Sequence, residues 1–557
     1  LCSILLTLLA CTPLYAQNVT NTNNTGIGSL RQALTQALQG DTITFDLSLS
    51  GQTINLSGSE LTIFKTLTID ASNLPDGITI DADSQSRIFN ILPGSIVTFN
   101  SLKLINGHVT NGIGGAILNN RGSVTLNHCT LSNNFATLGG GAIFNSGDSG
   151  IGILDLSYCV LTGNSTDQNG GAINSDSGDS GEVEVSLHVC TVSSNTAASK
   201  AGGIYAIGTN SGKSSLDITF SSIFSNSSYG IYSKADTSSQ ANVTLHTCTV
   251  MNSIYTTANN SPYLSLTSAG RSRLDIKRCT LWRLTSESIS TYGIIDDYSS
   301  QYSGVSEILL DHTILTHLKE IGEASNATTT IINANVVQTY LGENGLTATL
   351  PNASVIRANP QLAPLADYGG PTLTAPPLPY SPAVDAGGTT YISGTDQRGI
   401  YRFRNGALDI GAVEVAAGVV DSVSNSGQKT LRECIDFPSP GIASVTFDPA
   451  LSGATITLAG SPITIDTDIT INATALPDGI TIDGNGQSRI FYIAPGNTVN
   501  LNALTLTGGK TVDGAAGGAI FNLQSDLTLR ACTIHSNSAS YGGAIINDGG
   551  GTPTVPL

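Results

Sequence analysis

Several sets of side chains in this sequence have types that would suit catalysis or ion binding. Asp296 and Asp297 form an adjacent carboxylate pair, the groups that glycoside hydrolysis uses as acid and base. Asp385, Asp396, Asp409 and Glu414 share a short span with Arg398, Arg402 and Arg404, a mixture suited to proton transfer. Asp155, Asp217 and Asp275 recur at corresponding places, and "DSGDSGE" from Asp176 clusters acids as a Ca²⁺ loop would. Finally, "GRSRLDIKRCTLWR" gathers Arg271, Arg273, Lys277, Arg278 and Arg283 around Trp282, the only tryptophan.

Spacing argues against most of these. Neighbouring residues on a strand face opposite sides, so Asp296 and Asp297 read as a loop. Asp155, Asp217 and Asp275 alternate with Thr125, Ser186 and Thr244 in one outward column, where acids two rungs apart are separated by about 10 Å. That is too far to share an ion and reads as solvated surface. The Asp176 loop lacks EF-hand spacing. The acids and arginines between 385 and 414 read as salt bridges tying down a non-repeating cap. No H-E-x-x-H, nucleophile-elbow Gly-x-Ser-x-Gly or phosphate-binding loop occurs. Catalytic, cofactor-binding and metal residues are therefore all expected to be absent. Aromatic faces flanked by arginine suit sugar rings or a protein partner, so Trp282, Arg271, Arg273, Arg278 and Arg283 form the candidate ligand patch.

The elements that would carry these residues are set by a repeat. "VTLNHCTLSNN", "LDLSYCVLTGN", "VSLHVCTVSSN", "LDITFSSIFSN" and "LTLRACTIHSN" share apolar-x-apolar-x-x-Cys/Ser-x-apolar-x-x-Asn. The small residues fall at Cys129, Cys159, Cys190, Ser221, Cys248, Cys279 and Thr313, in steps of 30, 31, 31, 27, 31 and 34. Such a period marks one structural turn per repeat. The two-residue alternation of a half-buried strand skips a beat before each cysteine, so a bend sits there. "GGAIFN" at Gly140 and again at Gly517 makes a third strand after a glycine pair. Three strands per coil predict an all-β, right-handed parallel β-helix of the pectin-lyase type.

Within it, Asn134, Asn164, Asn195 and Asn226 are expected to stack at a corner, each amide satisfying the next. Cys129, Cys159, Cys190, Cys248 and Cys279 are expected to form a column of buried thiols, the alternative being disulfides between neighbours. "GSLRQALTQALQG" predicts a capping helix near 29–40, with Ser29 as cap and Leu30, Leu34 and Leu38 on one face. "KTLRECIDFPSPG" repeats the device, and "LPDGITIDADSQSRIF" from Leu74 returns as "LPDGITIDGNGQSRIF" from Leu476, 402 residues later. Two tandem modules follow: 17–350, with about ten coils over about 50 Å, and 419–557, incomplete. A Pro/Gly-rich closing segment and linker, 351–418, separates them.

Only 11% of the 557 residues are charged, and the net charge of −18 disfavours nucleic acid and direct electrostatic membrane binding. Residues 1–16 read as a secretory signal cleaved after Ala16, with lipidation at Cys11 as the competing reading. Both ends read as truncated.

The "GGAI" and apolar-x-x-Asn units resemble the repeats of bacterial polymorphic outer-membrane proteins. "SLRQA" and "TLREC" resemble the CSLREA module of exported β-helix proteins. The segment with "SPAVDAG" at Ser381, "DQRG" at Asp396 and "DIGAVE" at Asp409 is similar to part of choice-of-anchor surface proteins. The resemblance implies an exported extracellular or outer-membrane surface protein, adhesive or structural and without catalytic residues or cofactor. Its partner would be a glycan or cell-surface protein, its form a monomeric rod, and its membrane attachment an unseen anchor or the lipid on Cys11. The competing class is a polysaccharide lyase, hydrolase or epimerase on the same scaffold.

Overall fold

The computed structural model describes residues 17–236, 238–251, 264–268, 271–282, 305–318, 327–331, 335–340, 355–378, 381–388, 394–402, 408–415, 418–426, 430–436, 444–511 and 515–549. Residues 1–16, read above as a signal, with Cys11, and Arg283, Asp296, Asp297 and Arg404 lie outside the described residues. The chain divides into two compact units, Leu1–Asn359 and Pro360–Leu557.

In the first unit, alternating side chains build a parallel β-solenoid. Two 12-stranded sheets and one 8-stranded sheet stack the three strands of each coil on their copies above and below. Leu126 lies in register with Leu156, Leu156 with Leu187, Leu187 with Ile218 and Ile218 with Leu245. All five are buried, and a fully buried leucine or isoleucine contributes about 1.5–3 kcal/mol. A fourth, narrow ladder of two-residue strands, His108–Val109, Phe135–Ala136, Ser165–Thr166 and Thr196–Ala197, was not foreseen from the alternation, because two residues carry no period.

The skipped beat is a single residue in the left-handed region. His128, Tyr158, Val189, Phe220, Thr247, Arg278 and His312 all have φ between 48° and 57°, each just before the small residue of its repeat. A non-glycine residue there costs about 1–2 kcal/mol, so the corner persists because the ladders on either side fix it. A second left-handed corner, at Asn133, Gly163, Ser194 and Ser225, precedes each ladder asparagine.

The amides behind that corner satisfy one another. Asn134 Nδ2 donates to Asn164 Oδ1 at 2.9 Å, Asn164 to Asn195 at 2.9 Å and Asn195 to Asn226 at 2.9 Å. Each oxygen also accepts from the backbone N–H of the preceding rung's asparagine. A second ladder sits in the GGAI strand: Asn119 Nδ2 donates to Asn145 Oδ1 at 2.7 Å, and Asn145 Nδ2 to Ser175 Oγ at 3.1 Å. The glycines ahead of that strand stack too, and a Cβ on Gly141 would lie 2.3 Å from the carbonyl oxygen of Gly171.

The helix is shorter than its leucine spacing suggests. It spans Leu30–Gln36, with the Ser29 side chain accepting from Gln32 N, and Leu38 is 59% exposed instead of lining the buried face. Lys65 Nζ donates to the carbonyls of Leu34 and Ala37, and Asp41 accepts from Leu38 N, turning the chain before a third turn forms. Arg31 clamps the helix onto the first coil through the carbonyls of Ser59 and Glu60.

The second unit repeats this start with a helix at Leu431–Asp436, Arg432 on the carbonyls of Ser461 and Pro462, and parallel sheets of five, four and four strands. The arginine of "QSRIF" also has one task in both units. Arg87 binds the carbonyls of Ile113 and Gly114, and Arg489 those of Ala516 and Gly517, at the glycine turn one coil on.

Replacing Asn164 with Ala strands donors and acceptors on two neighbouring rungs and is expected to cost about 3 kcal/mol. Asn127→Ala, on the half-exposed outer face, stays within about 0.5 kcal/mol. Urea unfolding midpoints measure both, and equal losses contradict the ladder.

Candidate functional site

Outward positions of the first sheet form a long face along the solenoid. Its seven-residue strands Ile151–Ser157, Glu182–His188, Lys213–Thr219, Gln240–His246 and Arg271–Lys277 alternate buried with outward side chains. Thr125, Asp155, Ser186, Asp217, Thr244 and Asp275 share one column of register partners. Burial pushes the Asp217 carboxyl above its ordinary value.

The basic patch begins on that face. Arg271 and Arg273 are exposed on Arg271–Lys277. Asp275, between them and Lys277, takes an ion pair from Lys277 at 2.9 Å and approaches Arg273 at 3.9 Å. Arg278 occupies the left-handed corner, half-buried, its guanidinium pKa lowered by burial against the opposing pull of Asp311. Trp282 ends the strand Thr280–Trp282 in register with Met251; its side chain lies outside the described residues, as Arg283 does entirely. The fold therefore places Arg271, Arg273 and Arg278 on one strand and its following corner, with the Trp282 backbone on the next strand.

The cysteines occupy one interior column. Cys129, Cys159, Cys190, Cys248 and Cys279 are buried free thiols. Cys129 and Cys190 are held above the ordinary thiol range by their contact with the Cys159 thiol and by burial. Cys248 is held there by burial and then by Cys279. The same contacts with Cys129 and Cys190 pull the Cys159 thiol the other way, down to about 4, and burial keeps all five out of reach of solvent. Among the described residues no group of three or more His, Cys, Asp or Glu side chains could hold a metal ion.

The acids and arginines between 385 and 414 do converge, but within a buried knot. Asp396 Oδ2 accepts from Arg398 Nε at 3.0 Å, Arg398 Nη2 at 2.8 Å and Glu414 N at 3.0 Å. Asp409 accepts from the backbone N–H groups of Asp385 and Val415. Arg402, 1% exposed, donates to the carbonyls of Thr395, Gly411 and Ala412. These charges organise a segment whose described residues are joined by isolated bridges. Asp385 is exposed at its edge. Burial pushes Asp409 up to about 7, and burial with the Asp409 charge pushes Glu414 up to about 10. A protonated Glu414 lowers the cost of its buried, unpartnered Oε1.

The repeat can now be compared with known proteins. Residues 128–146 match the Chlamydia polymorphic membrane protein repeat. The matched stretch runs from the left-handed corner at His128 through Cys129, Asn134 and the glycine turn to Ser146. No curated protein matches the chain. In repeat and in parallel solenoid the chain is similar to polymorphic membrane proteins, and both features fit a surface β-helix protein.

Two expectations follow. In the native protein Cys129, Cys159, Cys190, Cys248 and Cys279 resist thiol reagents and all titrate after unfolding; rapid native labelling contradicts their burial. Above the ordinary carboxyl pKa near 4.3 an unfolded Glu414 has lost its proton while the folded one keeps it, so stability of the second unit falls as pH rises from about 5 towards 10. Glu414→Gln flattens that slope, which denaturant unfolding at pH 5, 7 and 9 measures.

Proposed function

We propose that this protein is exported, displayed at the cell surface, and works there by adhesion or as a structural component, without catalysis. The observation that carries this reading is a polymorphic membrane protein repeat seated in an uninterrupted ladder, where the constant residues face inward and the outer columns are free to vary. The stiff interior fixes the spacing of outward groups, and a surface protein can recognise a partner through such a face at little cost in conformational entropy.

The basic patch of Arg271, Arg273, Arg278, Trp282 and Arg283 is the proposed contact with a glycan or cell-surface protein. It is locally cationic on a chain of net charge −18, so it would orient the rod towards an anionic or aromatic partner. The protein acts as a monomeric rod, held to the cell by an anchor or by the lipid on Cys11.

The test combines Trp282→Ala with Arg271→Ser and Arg273→Ser. Binding of the purified protein to cells drops by about tenfold, with an unchanged thermal midpoint. Undiminished binding removes the patch from the mechanism. Incubation with acidic polysaccharides and Ca²⁺ yields no rise in the ultraviolet absorbance of unsaturated ends; such a rise assigns the scaffold to a lyase instead.

A further inference from the structure

The corner between the first two sheets carries a run of rings. His128 and Tyr158 stack with centroids 4.8 Å apart and planes 8° apart. Tyr158 meets His188 at 6.0 Å and 87°, His188 meets Phe220 at 5.7 Å and 78°, and Phe220 meets His246 at 6.2 Å and 58°. His128, Tyr158 and His188 are exposed and the other two half-buried, with Tyr158 47% open to solvent.

Folding does not require rings there. The same left-handed corner is filled by Ser101 on the coil before the row and by Val189 and Thr247 within it, where the ring sits one residue earlier, and the chain has few aromatic residues, 6% in all. Scattered exposed aromatics need no explanation, but a continuous row over successive rungs does. Because the planes swing from parallel to perpendicular along the row, the rings do not all cover one another's faces.

The flanks are mostly polar and uncharged. On the first-sheet side stand Asn127, Ser157 and Thr219, and on the second-sheet side Thr130 and Thr191, with the exposed Val160 between them and a buried Ser222 beyond. Asn127 is bonded to Asn100 at 3.0 Å and His188 to Thr219 at 2.9 Å, so an amide and hydroxyls line most of the row. The nearest charges are the carboxylates of Asp155 and Asp217, two residues back from Ser157 and Thr219, and, at the end of the row, Lys277, the register partner of His246.

We propose that this corner is a binding track for a neutral, linear polysaccharide running along the solenoid. A sugar ring has an apolar C–H face that packs on aromatic rings and a rim of hydroxyls that bonds to the flanking columns and to Asp155 and Asp217. Stacked strands repeat every 4.7–4.9 Å, close to the advance per pyranose in an extended chain. Successive sugars therefore meet successive rungs in phase, and weak contacts add with length. Acidic polysaccharides are disfavoured by those two carboxylates and by the net charge of −18. The row of rings ends at His246, one rung before Lys277 and Arg278, where the basic patch lies. The track rests on surface display only for access to its ligand, and binding by purified protein is indifferent to where the protein resides, so the two readings fail separately.

The experiment is calorimetric titration of the purified chain with cello- and chito-oligosaccharides of two, four and six sugars, with hexagalacturonate as the acidic comparison. Affinity for at least one neutral series is expected to rise by about tenfold or more from dimer to hexamer. Tyr158→Ala with His188→Ala is expected to lose about tenfold of the hexamer affinity with an unchanged thermal midpoint, and Tyr158→Phe to keep most of it. Absence of binding by both neutral hexamers at millimolar concentration, affinity independent of length, preference for hexagalacturonate, or full affinity in the double variant each overturns the proposal.

Discussion

In-register stacking is the constraint from which the rest of this structure follows. Once side chains about thirty residues apart must lie directly over one another, each buried group has its own copy as its principal neighbour. Apolar columns tolerate this easily, as Leu126, Leu156 and Leu187 do. A buried polar group survives only if it both donates and accepts along the column, which an amide can do and a carboxylate cannot. That selects asparagine for Asn134, Asn164, Asn195 and Asn226, and again for Asn119 and Asn145.

The same rule distributes function. Interior columns are fixed by complementarity with their copies, so chemistry that needs unlike residues together has no place among them. The buried thiols illustrate the point, being spaced as a ladder and closed off from solvent. Where the repeat stops, between 360 and 415, unlike charges do meet: Asp396 and Arg398 pair with each other, and Asp396, Arg402 and Asp409 also bind backbone groups. Variation is left to the outward columns and corners, where the basic patch and the row of rings lie. A stiff interior with a variable exterior fits a surface β-helix protein.

The solenoid was legible because its signals are periodic: the spacing of the small residues, the alternation around them and the glycine pair each report a position in the coil. The Asn134 series was legible for the same reason. The Asn119–Asn145 ladder was overlooked although its letters sit in the quoted "GGAIFN", since a half-exposed strand ending in asparagine looks ordinary without its partner. The roles of Arg31, Arg87 and their counterparts in the second unit depend on carbonyls one coil away, which no local pattern encodes. Leu38 was misplaced because helical spacing says nothing about the Lys65 and Asp41 contacts that turn the chain early. The ring row escaped notice because its members alternate between two sequence positions, His128, Tyr158 and Phe220 at the corner and His188 and His246 one residue before it.

Distances along one outward column test the stacking most directly. Spin labels on unnatural side chains at Thr68 paired with Ser186, Asp217 or Thr244 report rungs four, five and six apart in the register. Pulsed dipolar spectroscopy should give backbone-corrected separations of about 19, 24 and 29 Å, rising by one rung at each step. Three separations that fail to rise in that order, or that cluster at one value, contradict the stacked column and the surface-protein reading built on it.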